Sequence, residues 1–394
     1  MTKIKYALVL SGGGFKGAFQ LGALNYLKEH WTGITGEKKI HFDIVAGVSV
    51  GSLNGCLLSM NKLHELNTFW DLVAENGMEE IYTSDIIDTS NRDELKMKLD
   101  YDSLKSKFFP SFQLRIGLWQ ALGLLFFKKR RDPFFKSVVT SVAREAGENF
   151  KHFKSLASNE PLFRKLKEVV RLNDIDPGTK FYSGFVSLED GAYHCTVNND
   201  FDNNDDFVKA ILASTAMPIV WEPVPEIKAK DKIFRQSVDG GVVNVNPLGD
   251  VISLINDDPE PNVEYQIFIV NCNTGSVEPD LEAKEYNIGQ IALRALDEIT
   301  IAEVFRNDLE FFIRVNDMVL QSGDKPLYDF DFARKERSKK RLKAFRYTLI
   351  DPLPGVLGNT LLASRQLIEK RIKHGWDRAA AAFAEAPTYN HLTS

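Results

Sequence analysis

Apolar residues along this chain fall into short dense runs separated by glycine turns and by stretches with helical spacing. Residues 4 to 11, IKYALVLS, form one such run and end at three glycines, as a buried strand does. Over 15 to 30, Phe15, Phe19, Leu24 and Leu27 return at close to helical spacing. A second strand is predicted over 42 to 49, FDIVAGVS, and it passes into the helix-like VGSLNGCLLSM. Strand, turn and helix thus occur twice in the first 60 residues, which predicts an α/β fold with a mainly parallel, helix-flanked sheet.

The later pattern extends this picture. Residues 62 to 178 are charged and mostly helical in pattern, and read as an insertion or cap within a domain spanning 1 to 275. Two strands around LEDG are predicted over 180 to 197, and a helix stopped by Pro218 over 205 to 218. KIFRQSVDGGVVNVNP, 232 to 247, reads as a strand, a sharp glycine turn and a helix start. VEYQIFIVNC, 263 to 272, is another core strand. A long helix over 284 to 320, a late edge strand over 345 to 352 and a final helix over 359 to 384 follow. Residues 276 to 394 are therefore expected to form a mostly helical C-terminal extension packed on the core.

Composition narrows the class. With 394 residues, 44% hydrophobic and 26% charged, the chain can build a sizeable core. A net charge of −5 argues against a nucleic-acid partner. Cys56, Cys195 and Cys272 are few, odd in number and widely spaced, which predicts no disulfide framework, no metal site and a reducing, cytoplasmic compartment. The N-terminal apolar run leads straight into the glycines and reads as a strand, not a signal peptide. No run reaches the roughly 18 apolar residues of a membrane span.

The candidate chemistry starts at GVSVG, residues 47 to 51, a G-x-S-x-G between a predicted strand and a predicted helix. That context makes a nucleophile elbow: Ser49 on a strained turn, Gly47 and Gly51 leaving room for crossing backbone. A capping serine in a tight turn is the alternative. A hydroxyl nucleophile needs a base. None of the seven histidines is suitably placed. His41 precedes Ser49 by eight residues, about 26 Å of extended chain, at the wrong end of the sheet. His194 sits inside a predicted strand. SVDGG, 237 to 241, instead puts Asp239 at a strand end before Gly240 and Gly241. That is the carboxyl edge where open α/β sheets bind ligands. Burial would raise its pKa from the ordinary value of about 3.9 and strengthen it as a base.

GGGFKG, 12 to 17, then has two readings. Its backbone N–H groups can hold the oxyanion of an acyl-transfer intermediate, with Lys16 adding positive potential or bracing the loop. Alternatively Gly12, Gly14 and Gly17 match a dinucleotide-binding G-x-G-x-x-G. That reading needs an acidic residue at the end of the second strand, where GVSVG stands instead.

GGGFKG, GVSVG and DGG, in that order, resemble the patatin-like phospholipase family, to which cytosolic phospholipase A2 is related; ASTAMPIVWEPV and DGGVVNVNP are softer matches. The resemblance covers roughly residues 4 to 275. It implies a patatin-like three-layer core and hydrolysis of lipid acyl esters by a Ser-Asp dyad without cofactor or metal. Carried over by position, Ser49 is the nucleophile, Asp239 its base, and the N–H groups of Gly12, Gly13 and Gly14 form the oxyanion hole. A thioesterase, acyltransferase or small-ester esterase on the same dyad, and a nucleotide-binding regulatory protein, are the competing readings.

A lipase must also reach a lipid surface. FQLRIGLWQALGLLFFKKRR, 112 to 131, is apolar, too short to span, and ends in Lys128, Lys129, Arg130 and Arg131. It is expected either to lie in an anionic membrane interface with Trp119 anchored, or to be a buried helix or lid hinge. ARKERSKKRLKAFR, 333 to 346, is expected to be a solvated charged helix, or else a second anionic-surface contact or a phosphate site. Substrate preference and oligomeric state are left open by the sequence.

Overall fold

The computed structural model describes residues 3–84, 87–88, 98–99, 155–274, 277, 291, 294–323, 325–331 and 336–384. Eight strands form one sheet: β1 Lys3–Leu10, β2 Ile44–Val48, β3 Lys180–Ser187, β4 Ala192–Val197, β5 Val224–Ala229, β6 Lys232–Asp239, β7 Val263–Val270 and β8 Phe345–Ile350. Their order is β8-β7-β1-β2-β3-β6-β5, with β4 also paired to β3. The first five strands of that path run parallel; β4, β6 and β5 are antiparallel to their neighbours.

The unbroken apolar run of β1 follows from this layering, because the strand is covered on both faces. Tyr6, Leu8 and Leu10 point into one core and Ala7 and Val9 into the other. The larger core is closed by α1 Gly17–Thr35, α2 Val50–Ser59, α3 Leu63–Asn76, α4 Glu160–Val169, α5 Asn204–Thr215 and α8 Arg365–Ala384. The opposite face is covered by α6 Leu248–Asp257, with Leu309 and Phe312 of α7 Thr300–Gln321 packed beside it. Together these make a three-layer α/β protein.

The helix expected over 284 to 320 is described from a π-helical turn, Arg294–Ile299, which leads into α7. The expected late edge strand is β8, parallel to β7 at the end of the sheet. One expectation is corrected. Within 333 to 346, residues Glu336–Arg341 are not helical but pair antiparallel with Tyr328–Asp331 in a two-stranded ribbon. The segment has no apolar stripe to hold a helix against the core, so a neighbouring strand satisfies its backbone instead. Lys340 at its end pairs with Asp257 (2.6 Å).

Candidate active site

Ser49 stands between β2 and α2 with φ 56° and ψ −130°, a strained turn for a residue with a side chain. Its neighbours explain how the chain makes this turn. A Cβ on Gly47 would fall 2.2 Å from the Gly51 carbonyl oxygen, and one on Gly51 2.3 Å from that of Leu10. Only glycine fits either position. The Ser49 carbonyl accepts the Ser52 N–H (2.9 Å) and starts α2, so the positive end of that helix faces the turn. The Ser49 N–H donates to Ser214 Oγ (2.9 Å), which in turn donates to the Gly184 carbonyl (2.6 Å).

The register of β3 brings Asp239 to the same place. Along one edge β3 carries β4. Along its other edge it pairs with β2 as far as Val48↔Gly184, and from Asp239↔Phe185 onward with β6. The residue after Val48 is Ser49, so the Ser49 turn and the Asp239 end of β6 lie end to end along one edge of β3. Both are buried. The Asp239 N–H donates to Ala216 (2.9 Å), and its Oδ1 accepts the Gly241 N–H (2.7 Å). A Cβ on Gly240 would lie 2.6 Å from the Gly184 carbonyl, so this turn too needs its glycine.

The glycine turn closes over Ser49. A Cβ on Gly12 would sit 3.2 Å from Ser49 Cβ. Gly12 is held from both sides: its carbonyl accepts Asn273 Nδ2 (3.0 Å), and its N–H donates to the Val245 carbonyl (2.8 Å). The Gly12 N–H, expected among the oxyanion donors, is thus already engaged. Gly14 takes φ 51° and opens a short 3-10 turn, Gly14–Lys16, that runs into α1 at Gly17. The N–H groups of Gly13 and Gly14 have no protein acceptor among the described residues. A Cβ on Gly17 would strike Val50 Cγ2 at 2.2 Å, so Gly17 lets α1 cross close to α2. Lys16 lines a cavity of about 270 Å³ with Asn273, Arg294 and Asn359, on the flank of the turn.

Several residues that complete this arrangement carry no motif. Asp250, on α6, accepts from Tyr193 Oη (3.0 Å) and Asn244 Nδ2 (3.1 Å) and so fastens the loop that carries Val245. Burial pushes the Asp250 carboxyl up, against those two hydrogen bonds. Ser214 lies in one of the softer sequence matches, but nothing there singles out its hydroxyl. Among the described residues no histidine joins the site. His194 Nε2 pairs with Asp190 (2.8 Å), and His41 lines a separate cavity of about 320 Å³ at the amino ends of the strands. Trp119, Lys128, Lys129, Arg130 and Arg131 lie outside the described residues. Among the described residues no helix is long and apolar enough to cross a membrane, and no cluster of three or more His, Cys, Asp or Glu could hold a metal ion.

A mostly parallel sheet covered by helices on both faces, with Ser49, Asp239 and the glycine turn near its carboxyl edge, is an α/β fold of three layers. The patatin-like phospholipase model matches residues 8–252, more than half of the chain, and the chain belongs to that family. No curated protein sequence matches it. Among solved structures, VipD from Legionella pneumophila is similar at 14% identity and a TM-score of 0.36, over 96% of this chain and 66% of that one. The ExoU–SpcU complex of the Pseudomonas aeruginosa type III secretion system is similar at 15% identity and a TM-score of 0.32, over 98% of this chain and 52% of that one. Both likenesses are slight, and the chain spans less than two thirds of either relative.

Proposed function

We propose that the protein hydrolyses acyl esters of lipids, phospholipids first among them, through a Ser49–Asp239 dyad. The observation that carries this reading is the register of β3, which sets the Ser49 elbow and Asp239 end to end on one edge with Gly12 against Ser49. Asp239 takes the Ser49 hydroxyl proton as Oγ attacks the ester carbonyl. The N–H groups of Gly13 and Gly14 and the amino end of α2 hold the oxyanion. Gly12 holds the turn in place and is not a donor. Collapse breaks the ester bond, and the leaving alcohol takes the proton from Asp239. Water then gives a proton to Asp239 and attacks the acyl-enzyme, and the fatty acid leaves as that proton returns to Ser49. Every step uses groups of this chain and water.

Ester hydrolysis and fluorophosphonate labelling test this reading. Ser49→Ala is expected to abolish labelling and to lower kcat by about 10⁴-fold or more. Asp239→Asn, which keeps the shape but not the base, is expected to lower kcat by about 10²- to 10⁴-fold. Wild-type turnover of phospholipid vesicles alongside acyl-thioesters and short esters ranks the substrate classes. A Ser49→Ala protein with unchanged hydrolysis would sink the dyad.

A further inference from the structure

Arg371, on α8, is fully buried, and among the described residues no carboxylate pairs with it. Its guanidinium instead donates from Nε to the Leu357 carbonyl (2.8 Å), from Nη1 to Leu362 (2.7 Å) and from Nη2 to Asn359 (2.7 Å). Three carbonyls of one turn thus converge on one cation. Burial draws its pKa down to about 9, so the side chain keeps its charge at neutral pH. A buried charge without a counter-ion is unfavourable, and an apolar side chain would fill the space more easily. The turn must therefore need this fork of donors.

The turn touches the glycine loop. The Thr360 carbonyl accepts the Phe15 N–H (2.9 Å). A Cβ on Gly14 would fall 2.7 Å from Thr360 Cγ2 and 2.8 Å from its carbonyl oxygen. Residues 357 to 362 form the outer wall of the segment whose N–H groups at Gly13 and Gly14 are unpaired. The helix that carries Arg371 is itself fixed against α1. A Cβ on Gly22 would lie 1.9 Å from the Ile372 carbonyl, and one on Gly375 1.9 Å from that of Phe19. Contact therefore runs from the α1–α8 crossing through Arg371 and Thr360 to the glycine turn that carries the Gly13 and Gly14 amides.

We propose that Arg371 is a positioning residue for the oxyanion amides, so that the catalytic unit reaches beyond residue 252 to the last helix. The proposal rests on the Ser49–Asp239 reading. It acts on the tetrahedral state alone, because the ester carbonyl of the bound substrate asks far less of those amides than the oxyanion does.

The test compares full-length wild type, Arg371→Lys, Thr360→Ala, Gly14→Ala and the Arg371→Lys/Gly14→Ala pair. The readouts are p-nitrophenyl butyrate hydrolysis, inhibition by an alkyl boronate that mimics the tetrahedral intermediate, and thermal melting. Arg371→Lys is expected to lower kcat by about 10- to 100-fold with KM nearly unchanged, as a displacement of about 1 Å does. Boronate affinity falls by the same factor. Thr360→Ala, which leaves Arg371 intact, moves both readouts in the same direction by less. In the Gly14→Ala background, where the turn is already displaced, Arg371→Lys adds little. Wild-type kcat and boronate affinity in both Arg371→Lys and Thr360→Ala, with only melting lowered, would overturn the proposal. If Arg371→Lys does not fold, Thr360→Ala decides by the same criterion. Hydrolysis that survives Ser49→Ala would instead overturn the dyad, and the role of Arg371 with it.

Discussion

Ser214→Ala isolates what holds the elbow. The Ser214 hydroxyl is fully buried and bridges the Ser49 N–H to the Gly184 carbonyl. Alanine fits the same space, so packing changes little, but the Ser49 N–H is left buried without an acceptor. That costs about 1–3 kcal/mol. It falls on a turn that already stores about 1–3 kcal/mol of backbone strain at φ 56°. Each 1.4 kcal/mol withdrawn from the competent turn is about tenfold in rate. The labelling rate of Ser49 by a fluorophosphonate, and kcat on a soluble ester, should both fall by about 5- to 100-fold. Global stability should fall by about 1–3 kcal/mol in the same protein. Thr215→Ala is the control, because that hydroxyl only bonds back to Leu212 within the last turn of α5 (2.8 Å). It should change neither readout appreciably. A Ser214→Ala protein that labels and melts like wild type would show that the elbow does not depend on this bridge.

The remaining predictions concern the frame around the site. Gly22→Ala pushes a methyl into the Ile372 carbonyl at 1.9 Å and should lower thermal stability by about 1–3 kcal/mol or more, whereas Gly33→Ala on the same helix meets nothing within 4 Å and should stabilise by up to about 1 kcal/mol. Burial alone would raise the Asp258 carboxyl, but hydrogen bonds from Lys5 and Tyr265 outweigh it and hold it well below the usual carboxylate range. A carboxyl depressed in the folded state stabilises above its unfolded pKa, about 4, and loses that contribution as pH falls towards the folded value. Melting temperature should therefore drop below pH 4 more steeply in wild type than in Lys5→Met, which loses the 2.7 Å pair to Asp258. Cys56 and Cys272 are fully buried, and burial pushes the Cys272 thiol up to about 12. An aromatic disulfide reagent at pH 8 should leave both unmodified in the native protein and titrate them only in denaturant.

The tight turn after β2 could be read from sequence where the constraint is local. Gly47 clears the Gly51 carbonyl within the same five residues, which is a local signal, whereas Gly51 clears the carbonyls of Leu10 and Ser11 at the end of β1. The parallel order of β1 and β2 was equally plain, because each strand runs straight into a helix. Ser214 was not readable, because its partners lie 165 and 30 residues away and a serine near a helix end is commonplace. The ribbon at 336 to 341 was missed for a different reason: its partner, Tyr328–Asp331, lies only a few residues upstream and alternates aromatic and acidic residues, but the charged run of 336 to 341 carries no matching alternation and read as a solvated helix.

Arg371 is the instructive case, because a signal was present in the wrong form. In the run RQLIEKRIKHGWDRAAAAFA it looks like one of several surface cations. Yet the buried stripe of this helix is Leu367, Ile368, Arg371, Gly375 and Ala379, spaced at one helical face. A guanidinium stands where the period calls for an apolar side chain, and a glycine follows where the helix needs none. Each breaks a local rule at some expense in stability. Gly375 is explained by the backbone of α1, which passes too close for any Cβ. The same crossing sets Arg371 within reach of three carbonyls that bond no other cation among the described residues. The two departures are therefore one device: the glycine brings the helix in, and the arginine uses that closeness to hold the wall of the glycine turn, which lies more than 350 residues earlier in the sequence.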